Sequence, residues 1–240
     1  MDVLARVEQV RERIARAVAR RGPGPDVCIV AVVKRQPLER IEAVVGAGIF
    51  DIGENYAQDL RRHRSALAHR RDLRFHFIGA LQRNKVRHVL GAHRIHTVDR
   101  PALVEALEAR AAREGMFQDV LVEVNVGRES TKAGVLPEAL PDLLACFAEA
   151  PHLRCRGLMC LPPPSPPDEA RGYFRELRHL RDRFVRGPTE RAMDNVELVE
   201  LSMGTSADFE AAILEGATHV RLGTVLLGPR EAPPHEGQGA

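Results

Sequence analysis

Apolar and polar positions switch between two periods along this chain. In residues 2–21, Val3, Val7, Val10, Ile14 and Ala17 recur at helical spacing with Arg and Glu between them, which predicts an amphipathic helix. Gly22-Pro23-Gly24-Pro25 ends it. Short β-branched runs then alternate with helical stripes. The runs fall at 27–33, 49–52, 75–78, 94–98, 120–126, 153–159, 196–201 and 219–222, so eight strands are predicted. The stripe in 101–114 uses Leu103, Val104 and Leu107 behind Pro101; that in 137–149 uses Leu140, Leu144 and Phe147; that in 168–186 uses Tyr173, Phe174, Leu177, Leu180 and Phe184. This is the rhythm of an α/β protein folded as a (β/α)8 TIM barrel, with a doubly wound open sheet as the competitor. The last run leaves no room for a full eighth helix, and the extra N-terminal helix is the candidate to cover that gap. The stiff loop Leu161-Pro-Pro-Pro-Ser-Pro-Pro167 follows the sixth run and fits within the rhythm. The expectation is a single barrel domain over 1–230 and a flexible, Pro/Gly-rich tail over 231–240.

Composition narrows the function classes. The net charge of +2 excludes a strongly basic nucleic-acid binder. No apolar run approaches the roughly 20 residues of a membrane span, and the first helix lacks the apolar stretch of a secretory signal, so a cytoplasmic protein is expected. Cys28, Cys146, Cys155 and Cys160 form neither a CxxC pair nor a zinc spacing, and reduced thiols are the simplest reading. Lys and Arg total 35, yet only Lys34, Lys85 and Lys132 are lysines. Coding bias accounts for the arginines; the three lysines are candidate positions where an amine is needed.

In a barrel of this type, chemistry gathers at the C-terminal ends of the strands. Lys34 lies just past the first apolar run, where partial burial favours a free amine for Schiff-base chemistry; the bland reading is a lysine snorkelling to water. Polar residues stand within or after the second, third and fifth runs, including Asn55 and His76. After the seventh run come Ser202, Gly204, Thr205, Ser206 and Asp208, and at the eighth Arg221, Gly223 and Thr224. Glycines that admit an anion, hydroxyls that donate to it and a helix predicted to start near Ser206 suit a phosphate group, while Thr205-x-x-Asp208 also reads as a plain helix cap. Other signals are weaker. Gly46-x-Gly48 precedes a strand and is no dinucleotide fingerprint; His93-x-x-His96 reads as packing before metal binding; the basic stretch from Arg61 to Arg71 reads as a solvated helix face.

Taken together, these residues resemble the pyridoxal phosphate homeostasis proteins, which look like the N-terminal barrel of alanine racemase without its second domain. The motifs are AVVK at 31–34, GENY at 53–56, HFIGALQRNK at 76–85, HTVDR at 96–100, STKAG at 130–134, RGLM at 156–159, LSMGTS at 201–206 and VRLGT at 220–224. The resemblance implies pyridoxal 5′-phosphate (PLP) as cofactor, held as an aldimine on Lys34. It implies a phosphate cradle of Ser202, Gly204, Thr205, Ser206, Gly223 and Thr224, Arg221 facing the pyridine nitrogen, and Asn55, His76 and Met159 near the ring. Lys132 matches a second family lysine near the site, and Lys85 falls at the same rim as a further auxiliary for loading. Three departures stand out: Val33 where the family often has Ser, Gln36 where it often has a second lysine, and MGTS in place of MGMS.

An arginine opposite the pyridine nitrogen disfavours its protonation and weakens the cofactor as an electron sink. A racemase needs a second acid/base across the ring, and Tyr56 and Tyr173 are the only tyrosines. The expectation is therefore a monomeric cytoplasmic protein with no metal and no catalytic residue assigned, one that buffers PLP and delivers it to apo-enzymes. A low-turnover PLP enzyme such as an amino-acid racemase is the alternative, and a colourless Schiff-base aldolase or phosphate-sugar barrel enzyme a third.

Overall fold

The computed structural model describes residues 2–186 and 194–229, so the expectation for 231–240 lies outside the described residues. In chain order the elements are α1 (Val3–Arg21), β1 (Cys28–Val32), α2 (Leu38–Gly46), β2 (Asp51–Glu54), α3 (Ala57–Ala66), β3 (Arg74–Phe77), α4 (Val86–Val89), β4 (Arg94–Val98), α5 (Pro101–Glu114), β5 (Gln118–Glu123), α6 (Leu140–Ala145), β6 (Leu153–Met159), α7 (Pro167–Arg186), β7 (Val196–Ser202), α8 (Phe209–Leu214), β8 (His219–Leu222) and α9 (Thr224–Leu227). The strands pair in parallel in sequence order, and β8 closes on β1 with Cys28 opposite His219 and Ala31 opposite Leu222. This is a closed (β/α)8 barrel, and closure removes the open-sheet competitor.

α1 fills the gap in the ring. Asp2 caps it by accepting from the Val3 N–H at 2.6 Å, and Gly22, at φ 79°, ends it with an N–H bond to the Val18 carbonyl. Its buried face of Val7, Val10 and Ala17 lies against α8, α9 and α2. Arg13 makes a two-toothed bond to Glu210 of α8, at 3.2 and 2.8 Å. Among the described residues only the four-residue α9 follows β8, and α1 packs beside it.

Three elements depart from the periodicity for local reasons. The strand expected over 120–126 runs over Gln118–Glu123, because the Asn125 N–H turns to the Val135 carbonyl in the following loop. The strand expected at 49–52 runs over Asp51–Glu54, because the Gly48 and Ile49 N–H groups close the end of α2 on the Val45 and Val44 carbonyls. The helix expected over 137–149 splits into a 3-10 turn (Pro137–Ala139), α6 and a second 3-10 turn (Cys146–Glu149). Pro141 has no N–H to bond back to residue 137, so a continuous α-helix cannot form there.

Gly172 is exposed in the interior of α7, and a Cβ there would meet nothing within 4 Å. Gly172→Ala is expected to raise stability by about 0.5–1 kcal/mol, read from the midpoint of chemical denaturation, because it lowers only the entropy of the unfolded chain.

Candidate functional site

The C-terminal rim of the barrel collects most of the predicted residues. The chain leaves β1 through Val33, whose N–H bonds to the Gly53 carbonyl, and turns sharply at Arg35, at φ 56°. Lys34 sits in this turn, half-buried, with Nζ 5.2 Å from the centre of the Tyr56 ring. The Lys34 side chain beside it holds that exposed phenol below its usual pKa.

Asn55 follows β2. Its carbonyl lies so close to Gly79 that a Cβ there would come within 1.9 Å of the oxygen. The Asn55 side-chain Oδ1 is buried and has no hydrogen-bond partner, which is the condition of a group that awaits one. The neighbouring Glu54 belongs to the barrel's outer packing: it is fully buried and bonded at 2.5 Å to His63 Nδ1 of α3, and burial pushes its pKa up against the pull of His63.

On the opposite side, the loop after β7 meets the turn after β8. Ser206 Oγ accepts from the Gly223 N–H at 3.2 Å and the Val225 N–H at 3.4 Å. Gly204 is held at φ 91°, and a Cβ there would lie 2.6 Å from that of Ala212 and 2.9 Å from Phe209 Cα. Thr205 donates through both its N–H and its hydroxyl to Asp208 Oδ1, at 2.6 and 3.0 Å. These bonds close a turn ahead of the helix and do not cap it: α8 starts at Phe209, three residues beyond the expected Ser206, and its N-cap residue Asp208 makes no side-chain cap bond. Thr224 is the first residue of α9.

Two predicted cradle and ring residues lie deeper. Ser202 is fully buried in β7, where it accepts from Arg221 Nη1 at 2.8 Å and bonds to His96 Nδ1 at 2.9 Å. His76 is fully buried in β3, bonded to Asp51 and His96, both at 2.9 Å. The structure thus joins them to one another through His96 and places them beneath Arg221. Arg221 also donates to the Cys160 carbonyl at 2.9 Å, and among the described residues it forms no ion pair with a carboxylate. Met159 is buried at the end of β6, level with Ser202. Lys132 pairs with Glu129 at 2.6 Å, and Lys85 ends a 3-10 turn (Arg83–Lys85) after β3.

Glu123, at the end of β5, is a group the sequence reading passed over. Burial, reinforced by the Asp99 charge and opposed by Arg221, pushes its carboxyl up to about 7. Its folded value lies above the unfolded 4.5. The stability it supplies is therefore whole below pH 4.5 and is lost as pH rises through 7. Apo Glu123→Gln is expected to gain about 3 kcal/mol on the parent protein between pH 4 and pH 8, measured by urea denaturation at both values. Equal pH dependence of the two proteins would show that Glu123 has the same pKa in the folded and unfolded chain.

A family model described as the N-terminal domain of alanine racemase matches residues 6–231. The pyridoxal phosphate homeostasis protein of Aquifex aeolicus is 43% identical over 234 residues, covering 96% of this chain and all of the relative. That of Escherichia coli is 36% identical over 236 residues, covering 96% and 97%. The chain belongs to the pyridoxal phosphate homeostasis protein family. A solved structure of a similar protein, PipY of Synechococcus elongatus with PLP bound, matches with a TM-score of 0.80 and 30% identity over 94% of this chain and all of PipY.

Within this family member, one cluster outside the rim has the makings of a cation site. Donor atoms of Asp51, His76 and His93 lie within 4.8 Å of one another at the opposite end of the barrel. Arg74 occupies both Asp51 oxygens, at 2.7 and 2.5 Å, so a cation there would face a guanidinium already in place. The cluster is better described as the base of a hydrogen-bonded network than as a metal centre.

Proposed function

We propose that this chain binds PLP at the rim of the barrel and serves PLP homeostasis, with Lys34 as its covalent anchor. The observation that carries the reading is the match, along nearly the whole chain, to the PLP-bound PipY structure. The residues present suit that cofactor. Among the described residues, Asn55 offers a buried side-chain oxygen with no partner and Arg221 a buried cation that pairs with no carboxylate. The Gly223 and Val225 N–H groups point at Ser206 Oγ, where a phosphate oxygen has the same acceptor chemistry.

PLP supplies an electrophilic aldehyde and an aromatic ring that can accept electrons. Lys34 would supply the side-chain amine that condenses with that aldehyde, with release of water, as a reversible Schiff base. The Tyr56 ring lies beside the same amine, its centre 5.2 Å from Nζ. Ser206, Thr205, Gly204, Gly223 and Thr224 hold the phosphate. Arg221, held from behind by Ser202 and Cys160, donates toward the ring nitrogen and keeps it unprotonated. Met159 packs near the ring, while Ser202 and His76 act from the layer beneath. Lys85 and Lys132 serve loading as auxiliary amines. One barrel, residues 1–230, carries all of these groups as a monomer in the cytoplasm, and it hands PLP to apo-enzymes by brief contact. No helix among the described residues is long and apolar enough to cross a membrane.

A carrier fits better than a catalyst because Tyr56 sits on the anchor amine itself and offers no separately placed base. Glu123 favours the second reading, a low-turnover racemase, since a buried carboxyl titrating near 7 suits proton transfer. Incubating the holoprotein with L- and D-alanine and following optical rotation separates the two. The carrier reading expects no turnover beyond one equivalent; sustained racemisation overturns it. Delivery is tested with an apo-enzyme: transfer faster than spontaneous release supports it, and equal rates reduce the role to storage.

A further inference from the structure

The barrel interior holds a continuous chain of buried polar side chains from five strands. Asp51 (β2) bonds to His76 Nε2 (β3) at 2.9 Å, and His76 Nδ1 bonds to His96 Nε2 (β4) at 2.9 Å. His96 Nδ1 bonds to Ser202 Oγ (β7) at 2.9 Å, and Arg221 Nη1 (β8) donates to that oxygen at 2.8 Å. Each end has a fixed sign. Arg221 can only donate. Asp51 can only accept, because the Arg74 and His76 bonds outweigh burial and hold its carboxyl well below the usual range. Between these ends lie four hydrogen bonds. Arg221, the Ser202 hydroxyl and two neutral imidazoles supply one proton to each. Only one arrangement satisfies every bond: Arg221 donates to Ser202, Ser202 to His96, His96 to His76 and His76 to Asp51.

We propose that Asp51, His76, His96 and Ser202 form a one-way hydrogen-bond relay that positions Arg221 for its acceptor at the rim, with both histidines locked as neutral Nε2–H tautomers. The idea rests on the PLP reading for the identity of that acceptor, the ring nitrogen, but not for the proton order. Ser202 is forced to turn its lone pair to Arg221 because its own proton is committed to His96. Each bond polarises the next, so the donor order set at Asp51 runs to the buried Arg221 cation at the other end, which pairs with no carboxylate among the described residues. Burial holds both imidazoles neutral. His96 is pushed well below its ordinary value, with His76, His219, Arg221 and Arg94 adding to the effect. His76 is also lowered by burial and Arg94, against the opposing pull of Asp51 and Glu200. His93 and His219 stand beside it, with ring centres at 5.2 and 6.0 Å. These four residues are positioning residues; none touches the cofactor in this account.

The test uses the full-length apo-protein with 15N-labelled histidine and long-range 1H–15N correlation spectra. His76 and His96 should each show a protonated Nε2 and a bare Nδ1, unchanged from pH 5.5 to 8. A protonated Nδ1 on either ring, or a titration near 6.5, overturns the relay. Asp51→Asn replaces the obligate acceptor with an amide that can also donate. His96, two bonds away, should then lose its pure Nε2–H tautomer, whereas a merely structural Asp51 leaves it unchanged. Should that variant fail to fold, Ser202→Ala serves: His96 Nδ1 should shift as it loses its donor, and no shift overturns the proposal. In the holoproteins, both variants should move the absorbance maximum of bound PLP while Gly172→Ala does not; unmoved spectra overturn the link to Arg221. Wrong tautomers with PLP still trapped on Lys34 would sink the relay alone. Correct tautomers with no trapped PLP would sink the PLP reading alone.

Discussion

Lys34→Ala is expected to lose PLP affinity by on the order of a hundredfold or more, about 3 kcal/mol, and to lose the absorbance band of the bound cofactor. The phosphate contacts of the β7 and β8 loops survive this change, so weak, non-covalent binding remains. Lys34→Arg separates charge from nucleophile. A guanidinium keeps the cation beside Tyr56 but does not condense with the aldehyde under ordinary conditions, so it should fall as far as alanine does. Lys34 is half-buried in a turn and makes no ion pair among the described residues, so neither substitution should move the unfolding midpoint by more than about 0.5 kcal/mol. The chain has only two other lysines, Lys85 and Lys132. Retention of the cofactor band by Lys34→Arg would therefore point to one of these as the anchor.

Gly79→Ala should be the most damaging conservative substitution near the rim. The added methyl would lie 1.9 Å from the Asn55 carbonyl oxygen, 2.7 Å from its carbon and 2.9 Å from its Cα. These are backbone atoms at the end of β2, so relief requires the β2 and β3 exits to part. The cost should be about 3 kcal/mol or more, and Asn55 should be displaced from the rim along with the strand end. Urea denaturation of apo Gly79→Ala reads the first effect and PLP titration reads the second. A stability loss below about 1 kcal/mol would show that the two loops can separate freely. Gly172→Ala, with open space around its Cβ, serves as the opposite-sign control.

The sequence revealed what is local. Eight β-branched runs and their intervening stripes are set by side-chain periodicity within one segment, and the closed barrel follows. Lys34, Asn55, Ser206, Arg221 and Gly223 could be placed at the rim because a strand end is visible from the chain itself. The contacts of Ser202 and His76 could not be read this way. Their partners sit on strands up to 106 residues away, and only closure of the barrel brings β4 against β7 across its interior. Tyr56 was legible as a motif residue, yet its place against the Lys34 amine depends on the turn at Arg35. Glu123 looked like one more polar strand end, since burial beside Asp99 is a tertiary property. The capping motif Thr205-x-x-Asp208 was readable as a motif, but not that its own turn would hold back the helix start to Phe209.

Reducing the PLP-loaded protein with borohydride and mapping its peptides by mass tests the central claim most directly, because reduction makes the Schiff base permanent where it stands. The account predicts one pyridoxyl group on the peptide containing Lys34, with Lys85 and Lys132 unmodified at one equivalent of cofactor. A bare Lys34, with the adduct on another lysine or on none, would contradict it.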